Sequence, residues 1–406
     1  MTNVTIDRLG HHGDGIADGP IYAARALPGE VVSGVLNGDR LSEVRIVTPS
    51  EDRVKAPCRH YRACGGCQLQ HASDEFVADW KQQTVVAALA AQGLSAPMRP
   101  IAVSPPASRR RATFSSRRTK KGALVGFHAT QSDVITEIPD CQLLDPRLLV
   151  AVPVIDKLTV LGASRKGNLA VTVTASAAGL DIAVTGGKPL DGPLQMTLGQ
   201  VAEPAGLARL SWDGDVVAMP NPPAQQFGVG RVVPPPGAFL QATTQGESVL
   251  VAAVREIVGD AAQVADLFAG CGTFSLPLAE RAEILAVESD GDMMQALDQG
   301  WRQATGLKRV TTETRDLFRR PMQPDELKRF DAVVLDPPRA GAEAQVAVLT
   351  EALPPVIAYV SCNAQSFARD AAMLSEAGYQ LEWVQVVDQF RWSVHTELVG
   401  SFRHAM

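Results

Sequence analysis

From residue 238 onward, apolar strand-like segments alternate with segments of helical length, and this alternation constrains the fold more than any other feature of the 406-residue chain. Helices separate the earlier strands, so the rhythm is βαβ and predicts a mostly parallel, doubly wound sheet closed by an antiparallel pair. We therefore expect an α/β fold of the Rossmann-like type over residues 236–406. The strand-like segments are VADLFA, EILAVES, DAVVLD, VIAYVS, QLEWVQVV and HTELVGSF.

The first 235 residues follow other patterns and predict two further domains. Residues 1–53 contain four or five short strand-like segments separated by Gly turns, which is typical of a small barrel of the oligonucleotide-binding sort or of another small β-domain. Residues 54–235 contain a cysteine-rich loop, an amphipathic helix over 75–92 and further strands, so we expect a mixed central domain. The proline-rich stretch at 232–237 predicts the linker to the third domain.

Charge is distributed unevenly along a chain whose net charge is −6. Residues 1–150 contain 18 Lys and Arg against 15 Asp and Glu, whereas the remainder contains 20 against 29. The segment 108–121 carries seven basic side chains, no acid and Phe114, and predicts a basic β-hairpin that binds nucleic acid; the alternative is a solvated face. No stretch is apolar enough to span a bilayer and the N-terminus lacks a signal sequence, so we expect a cytoplasmic protein.

A glycine-rich turn, Gly270-Cys271-Gly272, follows the strand VADLFA and predicts a ligand site at the sheet's C-terminal edge. Ser275 stands where the dinucleotide fingerprint requires its third glycine, which disfavours a pyrophosphate ligand. Glu288 ends the next strand, where a carboxylate accepts hydrogen bonds from ribose hydroxyls. Together these residues predict a site for S-adenosylmethionine (SAM). Asp336 ends a later strand at the same edge, and the two prolines after it stiffen that exit.

Cys362 follows the strand VIAYV and precedes a helix, where backbone N–H groups favour a thiolate. A buried cysteine at such a position is often simple core packing. Opposite a SAM site, however, a thiolate can add to C6 of uracil, and this activates the poorly nucleophilic C5 for methylation. Glu397 is the candidate base that then removes the C5 proton, although it could also be an ordinary strand glutamate.

These residues resemble the SAM-dependent RNA uracil-5-methyltransferases, which form 5-methyluridine, and the resemblance covers essentially the whole chain. Ser361-Cys362-Asn363 matches the nucleophile motif of that family, and His395-x-Glu397 matches its base motif. The resemblance implies that Cys362 is the attacking thiolate and that Glu397 is the proton acceptor. It also implies SAM contacts for Gln241, Phe268, Glu288, Asp316 and Asp336.

Three of the six cysteines lie within ten residues, in the pattern Cys58-x5-Cys64-x2-Cys67, and Cys141 follows later. In a reducing compartment such clusters indicate metal ligands rather than disulfides. The spacing and the flanking CGGCQLQH resemble the four [4Fe–4S] ligands of the family's iron–sulfur branch, in which a small RNA-binding barrel, the TRAM domain, precedes the cluster. Zinc is the alternative, with His60 and His71 as nearby ligands.

The sequence departs from the family pattern at three places but keeps every reacting group. Ala364 replaces the usual proline after Ser-Cys-Asn, residues 390–393 lack the usual Pro-x-Thr, and Ala242-Thr243 stands where an asparagine is common. We therefore expect an active, monomeric enzyme that methylates C5 of a uridine in structured RNA.

Ribosomal RNA of the large subunit (23S) is the favoured substrate, because the transfer-RNA enzymes of the family generally lack both barrel and cluster. The alternatives are methylation of a transfer-RNA uridine and a non-catalytic RNA-binding iron–sulfur protein. Methylation of cytosine C5 is disfavoured, because Asp336 is followed by Pro-Pro where cytosine enzymes carry Pro-Cys.

Overall fold

The chain begins with a closed five-stranded barrel in a computed structural model that describes residues 1–165 and 167–404. The barrel strands are β1 (Thr2–Leu9), β2 (Gly15–Ala17), β3 (Ile21–Ala23), β4 (Val31–Asn37) and β5 (Arg40–Thr48). They are hydrogen-bonded in the order β1-β2-β3-β5-β4. Apolar side chains such as Ile6, Val32 and Leu41 point inward and form the barrel core. The small N-terminal barrel predicted from the sequence is confirmed.

A long helix, α1 (Asp74–Ala91), and a short strand, β6 (Ala102–Val103), follow the cysteine-rich loop. The helix confirms the one predicted over 75–92: the Ser73 hydroxyl accepts a hydrogen bond from the Phe76 amide at its N-cap, and two acidic residues occupy its first turn. The apolar face of α1 packs into the core of the C-terminal sheet.

The middle of the chain forms a seven-stranded sheet in the order β13-β12-β11-β10-β7-β8-β9, with helices packed on it. The adjacent strands β7 and β8 are antiparallel and confirm the predicted hairpin. A separate two-stranded ribbon, β14-β15, follows the sheet. The elements are β7 (Arg111–Arg118), β8 (Ala123–His128), β9 (Ile135–Thr136), α2 (Pro146–Leu149), α3 (Val152–Gly162), β10 (Asn168–Ser176), β11 (Gly179–Thr185), α4 (Gly192–Ala202), β12 (Arg209–Trp212), β13 (Asp215–Ala218), β14 (Gln225–Phe227) and β15 (Gly230–Val232).

The C-terminal sheet has eight strands in the order β18-β17-β16-β19-β20-β22-β21-β6. Strands β16 to β20 run parallel, and β22 lies antiparallel between β20 and β21, so the predicted doubly wound sheet with an antiparallel end is confirmed. The elements are α5 (Thr244–Val258), β16 (Gln263–Leu267), α6 (Ser275–Leu278), β17 (Glu283–Glu288), α7 (Gly291–Gln303), β18 (Val310–Thr314), α8 (Pro324–Leu327), β19 (Ala332–Leu335), α9 (Glu343–Ala352), β20 (Val356–Ser361), α10 (Ala364–Glu376), β21 (Tyr379–Asp388) and β22 (Leu398–His404).

The chain leaves the C-terminal sheet after β6 and returns to it before α5 at nearly the same point. The Ser104 and Thr243 hydroxyls are 2.8 Å apart, and the Arg110 amide donates to the Ala242 carbonyl at 3.0 Å. The middle sheet is therefore inserted between β6 and α5, and residues 74–103 pack on the C-terminal sheet although the sequence assigns them to the central domain. The segment predicted as a linker also packs closely, because Val232 is fully buried in the C-terminal core.

The basic segment 108–121 is divided by the fold: the prediction that it contacts nucleic acid is wrong for Arg110 and Phe114, which are buried, and stays a prediction for its other cations. Arg110 is 7% exposed, and its guanidinium lies 2.5 Å from the Glu247 carboxylate across the junction with α5. Phe114 is fully buried and stacks on Phe127. A buried arginine paired with an acid joins two parts of a fold and is withdrawn from phosphates. The tip of the hairpin around Lys120 is exposed.

A buried ion pair fastens α1 to the end of β21. Lys81 Nζ lies 2.6 Å from Asp388 Oδ1, and Lys81 is 0% exposed. The Phe390 carbonyl accepts a second hydrogen bond from Lys81 at 3.1 Å.

Within the described part of the chain, no helix is both long and apolar enough to cross a membrane.

Replacing Lys81 by methionine is expected to lower the free energy of unfolding by about 3–5 kcal/mol, because Asp388 would stay buried without its counter-charge. The measurement is urea denaturation followed by tryptophan fluorescence. Lys328→Met, which removes an exposed pair with Asp325, is the matched control and should cost less than about 1 kcal/mol. Equal losses in the two variants would contradict a stabilising role for the buried pair.

Candidate active site

A cavity of about 610 Å³ opens at the C-terminal ends of β16 and β19, where the strand order of the parallel sheet reverses. Ligands of doubly wound sheets bind at this switch point because the loops diverge there. All seven residues that the sequence predicts for catalysis and SAM binding line this one cavity. They are Gln241, Phe268, Glu288, Asp316, Asp336, Cys362 and Glu397. The fold thus brings together residues up to 156 positions apart in the sequence.

The glycine-rich turn after β16 shapes the floor of the cavity. Phe268 has φ 63°, a left-handed conformation that is unfavourable for a residue with a side chain, and this turns the chain sharply at the strand end. Gly272 has φ +91°, and a Cβ atom there would lie 2.3 Å from Leu297, so only glycine fits. The Ser275 hydroxyl, at the position of the third fingerprint glycine, donates to Asp266 at 2.5 Å beneath the turn.

Glu288 is held at the cavity rim by backbone amides. Its Oε2 accepts from the Gly270 amide at 3.2 Å, and its Oε1 accepts from the Ser289 amide at 2.6 Å. The carboxylate is therefore fixed in place with acceptor capacity left over, as a ribose-binding acid requires. The rings of Phe268 and Phe318, whose centroids lie 5.5 Å apart, form an apolar wall of the same cavity. Asp316 also lines the cavity.

Cys362 and Glu397 meet because of the register between β20 and β22. Ser361 pairs with Leu398, so the residue that follows β20 and the residue that precedes β22 lie alongside each other. The Val387 amide donates to the Glu397 carbonyl at 2.8 Å, which fixes the backbone of the glutamate on its other side. Asn363 is the N-cap of α10, since its side chain accepts from the Gln365 amide at 3.0 Å.

The acids of the site are buried, and burial disfavours their charged forms. Burial raises the pKa of Glu397 to about 7, while a hydrogen bond from Gln389 opposes the shift. Burial, and next the charge of Glu397, raise the pKa of Asp336 well above its ordinary value. Two carboxyl groups that share one cavity and titrate late are typical of sites that move protons.

The surroundings of Cys362 in the free protein oppose the thiolate that the helix N-terminus predicts. Burial, followed by the charges of Glu397 and Asp336, raises the pKa of the thiol to about 12, and Arg339 opposes this only in part. The first turn of α10 is capped by Asn363, so its amides offer less to the sulfur. Ionisation of Cys362 therefore depends on a change in the cavity, such as entry of a substrate.

The segment between β21 and β22 carries His395 and Glu397 and is held by the cysteine-rich loop. The amides of Gln68 and Leu69 both donate to the Trp392 carbonyl, each at 2.9 Å. Trp392 has φ 60°, so this carbonyl is presented from a left-handed residue. The Arg391 guanidinium donates to the Ser104 carbonyl at 3.1 Å. Residues 390–393, which depart from the family pattern, are thus held by contacts with parts of the chain outside the sheet.

The four predicted cluster cysteines come together beside this segment. The pKa values of Cys64, Cys67 and Cys141 are all raised, first by burial and then by the charges of the neighbouring cysteines, and that of Cys67 reaches about 12. The chain folds tightly at this point, since a Cβ atom at Gly65 would lie 2.8 Å from the His128 carbonyl oxygen. In the part of the chain that the structure describes, no three His, Cys, Asp or Glu side chains are arranged to hold a single metal ion.

Both histidines considered as zinc ligands have other partners. His60 Nε2 lies 2.6 Å from Asp140 Oδ1, and His71 Nδ1 lies 2.7 Å from the Tyr61 hydroxyl. Burial, and then the charge of Arg53, lower the pKa of His71 to about 4, so this imidazole is neutral at pH 7. The histidines therefore contribute to the structure around the cysteines through hydrogen bonds.

Four residues that sequence reasoning did not assign a role also line the cavity: Phe239, Arg339, Phe390 and His395. Phe239 is 60% exposed at the rim, two residues before Gln241, and an exposed aromatic beside a site is a signal for ligand contact that the sequence could have provided. Arg339 follows the two prolines after Asp336, and its positive charge acts on both Cys362 and His395.

Comparisons with known proteins agree with this geometry. The family model for tRNA (uracil-5-)-methyltransferases matches residues 235–403. An RNA methyltransferase of Rhizobium meliloti (strain 1021), itself uncharacterised, is 43% identical over 98% of each chain. The 23S rRNA (uracil(1939)-C(5))-methyltransferase RlmD of Chromohalobacter salexigens is 31% identical, with 97% of this chain and 87% of the relative covered.

A solved structure has the same fold over the full length. The tRNA (uracil-54, C5)-methyltransferase of Pyrococcus abyssi, crystallised with S-adenosyl-L-homocysteine (SAH), superimposes with a TM-score of 0.77 at 21% identity, covering 98% of this chain and 99% of the other. A doubly wound sheet with a cavity at its switch point and a preceding small barrel is the architecture of a SAM-dependent methyltransferase. With the full-length relatives above, the chain belongs to the family of RNA uracil-5-methyltransferases.

Alkylation of Cys362 by iodoacetamide in the RNA-free protein is expected to be about a thousandfold slower at pH 8 than that of an ordinary thiol, because only the thiolate reacts. Peptide mass spectrometry measures the reaction from pH 7 to 11, where the rate should still be rising at the upper end, and the same peptide in urea-denatured protein is the reference. Asp336→Asn should move the midpoint to lower pH by removing a negative charge. A native midpoint below about 8.5 would contradict the electrostatics described above.

Proposed function

We propose that this protein transfers a methyl group from SAM to C5 of a uridine in 23S ribosomal RNA through a covalent adduct with Cys362. The observation that carries the proposal is the meeting of Cys362 and Glu397 at the end of the cavity whose other end is lined by Glu288. A ribosomal substrate is supported by the 23S rRNA enzyme at 31% identity over nearly the full chain, and would place the protein in the cytoplasm. Family membership supports the reaction type.

The proposed chemistry uses two side chains in sequence. The Cys362 thiolate adds to C6 of the uracil, forming a C–S bond and pushing the electron pair of the C5–C6 bond onto C5 and O4. C5 then bonds to the methyl group, which SAM supplies from its sulfonium. Glu397 removes the C5 proton, the C5–C6 double bond forms again, and the thiolate leaves. Because the pKa of Glu397 is near 7, the group can accept and release a proton at neutral pH.

The residues of the cavity fit SAM. Glu288 would bind the ribose hydroxyls, Phe268 and Asp316 would lie along the adenosine, and Gln241 and Asp336 would lie nearest the reacting end. Gln241 Nε2 is 3.4 Å from Asp336 Oδ2, so the two side chains are already joined.

The RNA would contact exposed cations near the tip of the β7–β8 hairpin. Arg118, Lys120 and Lys121 surround a second cavity of about 610 Å³ together with Lys157 of α3. Such cations bind phosphates without reading sequence. The barrel over residues 1–53, a TRAM-like domain in this proposal, adds a second RNA-binding unit. We also propose that the enzyme acts as a monomer, because one chain supplies both the cavity and these surfaces.

Cys58, Cys64, Cys67 and Cys141 would hold a [4Fe–4S] cluster. The support is that each of Cys64, Cys67 and Cys141 lies near other thiols of the set, and that four thiolates are the usual complement of such a cluster; zinc is the alternative. When bound, the cluster would cross-link the loop of residues 58–67 to Cys141. Since Gln68 and Leu69, directly after that loop, donate to the Trp392 carbonyl, the cluster would stabilise the segment that carries Glu397.

Cys362→Ala is expected to abolish both methyl transfer and the covalent RNA adduct, whereas Glu397→Gln should allow attack and methylation but prevent release. A methylated protein–RNA species that resists denaturation would then accumulate. The measurement is a denaturing gel of each variant with labelled SAM and an unmodified 23S rRNA transcript, with a transfer-RNA transcript as the alternative substrate. Full activity of Cys362→Ala would overturn the mechanism, and labelling of the transfer RNA alone would overturn the substrate.

Protein purified without oxygen is expected to be brown, with about four iron and four sulfide per chain. Metal and sulfide analysis with the visible absorption spectrum provides the measurement. Cys64→Ser should lose colour and stability together, whereas Cys271→Ser, which changes a cysteine of the SAM cavity, should keep the colour. Colourless protein with one zinc per chain would contradict the cluster.

A further inference from the structure

Gln389 lies directly behind the active site and has no role in the chemistry described so far. It follows the last residue of β21 and is 1% exposed. Its Nε2 lies 2.5 Å from Gln241 Oε1 and 3.1 Å from Glu397 Oε2, and its Oε1 accepts from the Ala242 amide at 2.8 Å. The buried side-chain amide of Gln389 thus contacts three groups: the proposed base Glu397, the predicted SAM contact Gln241, and the backbone of Ala242, which lies between the two sheets.

The orientation of this amide is determined by its partners. A backbone N–H can only donate, so the oxygen of Gln389 must face Ala242 and its NH₂ group must face the other way. The two hydrogens of that group then point at Gln241 Oε1 and Glu397 Oε2. Because the Gln241 oxygen is engaged, its own NH₂ group faces Asp336 Oδ2, 3.4 Å away. Glu397 and Asp336 therefore each receive an N–H from an ordered amide.

The first turn of α5 is built around this side chain. A Cβ atom at Gly246 would lie 2.8 Å from Gln389 Cβ and 3.2 Å from its Oε1. The absence of a side chain at Gly246 therefore lets α5 approach and confine Gln389. The Gly246 amide donates to the Thr243 hydroxyl at 2.9 Å, so the helix N-cap that confines the amide is itself ordered.

We infer that Gln389 is a positioning residue, which orients Glu397 and Gln241 through one hydrogen-bonded relay and holds Glu397 in the ionised form that accepts the C5 proton. The inference rests on the proposed function, because it assigns Glu397 as the base. A donated N–H stabilises a carboxylate more than a carboxylic acid, so the relay favours the form of Glu397 that can act.

The other charged and titratable groups around Glu397 come from three directions. Asp336 and Arg339 approach from the loop after β19, Cys362 from the end of β20, and His395 from the segment of Glu397 itself. Asp336 and Cys362 are both affected by the charge of Glu397, and Arg339 acts on Cys362 and His395. Gln389 has no direct contact with these groups and reaches Asp336 only through Gln241, so the binding measurement reports the Gln241 arm and the pH profile reports the Glu397 arm.

The test compares wild type with Gln389→Met, which keeps the length of the side chain and removes its hydrogen bonds. Each protein is reacted with labelled SAM and an unmodified 23S rRNA transcript, and discharge of the methylated adduct is followed on denaturing gels from pH 6 to 9.5. Loss of one donor to a charged group should raise the pH midpoint of discharge by about one to two units. At pH 7 discharge should then fall about 5- to 50-fold, because Glu397 is about half ionised there in wild type, and it should recover at high pH.

Two further variants and a binding measurement complete the design. Gln385→Met removes a glutamine of the same strand that donates to the Pro100 carbonyl at 3.1 Å, and its pH profile should coincide with that of wild type. Gly246→Ala keeps the amide but displaces it, and should give an alkaline shift smaller than that of Gln389→Met. SAH binding by calorimetry verifies that each variant is folded, and should weaken several-fold in Gln389→Met because Gln241 loses its partner.

The outcomes are distinct. A folded Gln389→Met protein that loses activity equally at every pH would show a purely structural role and overturn the inference, as would a profile identical to that of wild type. If wild type forms an adduct and Glu397→Gln discharges it normally, the base assignment fails. If Cys362→Ala still methylates the transcript, the covalent mechanism fails, and with it the adduct whose discharge this test follows.

Discussion

The pairing of β22 with β20 is the constraint on which the active site depends. The sheet is parallel up to β20, and a parallel sheet brings only the C-terminal ends of its strands to the ligand edge. By running antiparallel, β22 brings its N-terminal end to the same edge, and with it Glu397. A slip of one residue would exchange the two faces of the strand and turn buried Phe402 outward, so the hydrophobic core itself enforces the register that the chemistry needs.

The nine residues between Asp388 and Leu398 have no strand of their own, and they are positioned from outside the sheet. Lys81 holds the beginning of this segment through an ion pair that spans 307 positions of sequence. The cysteine-rich loop holds its middle through the Trp392 carbonyl. A loop that carries catalytic groups usually takes its rigidity from a scaffold, and here the scaffold includes a helix and a loop from the first hundred residues. Methyl transfer and integrity of the cysteine region are therefore physically connected.

Much of the fold, and the placing of all seven predicted site residues in one cavity, were predictable from the sequence, because they follow from local patterns and from a family resemblance. Strand and helix rhythm gave the doubly wound sheet, and short motifs such as Ser361-Cys362-Asn363 stand at strand ends where that fold places its site. What the sequence does not reveal depends on distant partners. Arg110 looked like an RNA-binding cation until Glu247, 137 residues away, proved to be its partner. The Cys362 thiol looked activated because the helix after it is visible in the sequence, whereas the acids that raise its pKa are not. Gln389 carries no motif, and its importance follows from three contacts made across the fold.

The adjacent exit and return of the chain at Ser104 and Thr243 have a consequence for how such an enzyme can diversify. A lobe whose two ends are fixed side by side can be lengthened, shortened or exchanged while the body that hosts it keeps its strand order. The C-terminal sheet, with α1 and β6, would stay intact through such a change, because hydrogen bonds at the junction join the two points where the chain leaves the sheet and returns to it. Selection could therefore alter the seven-stranded lobe, and the surface it presents, without moving Cys362 relative to Glu397. Mutations in the lobe and mutations in the catalytic sheet can therefore accumulate independently during evolution.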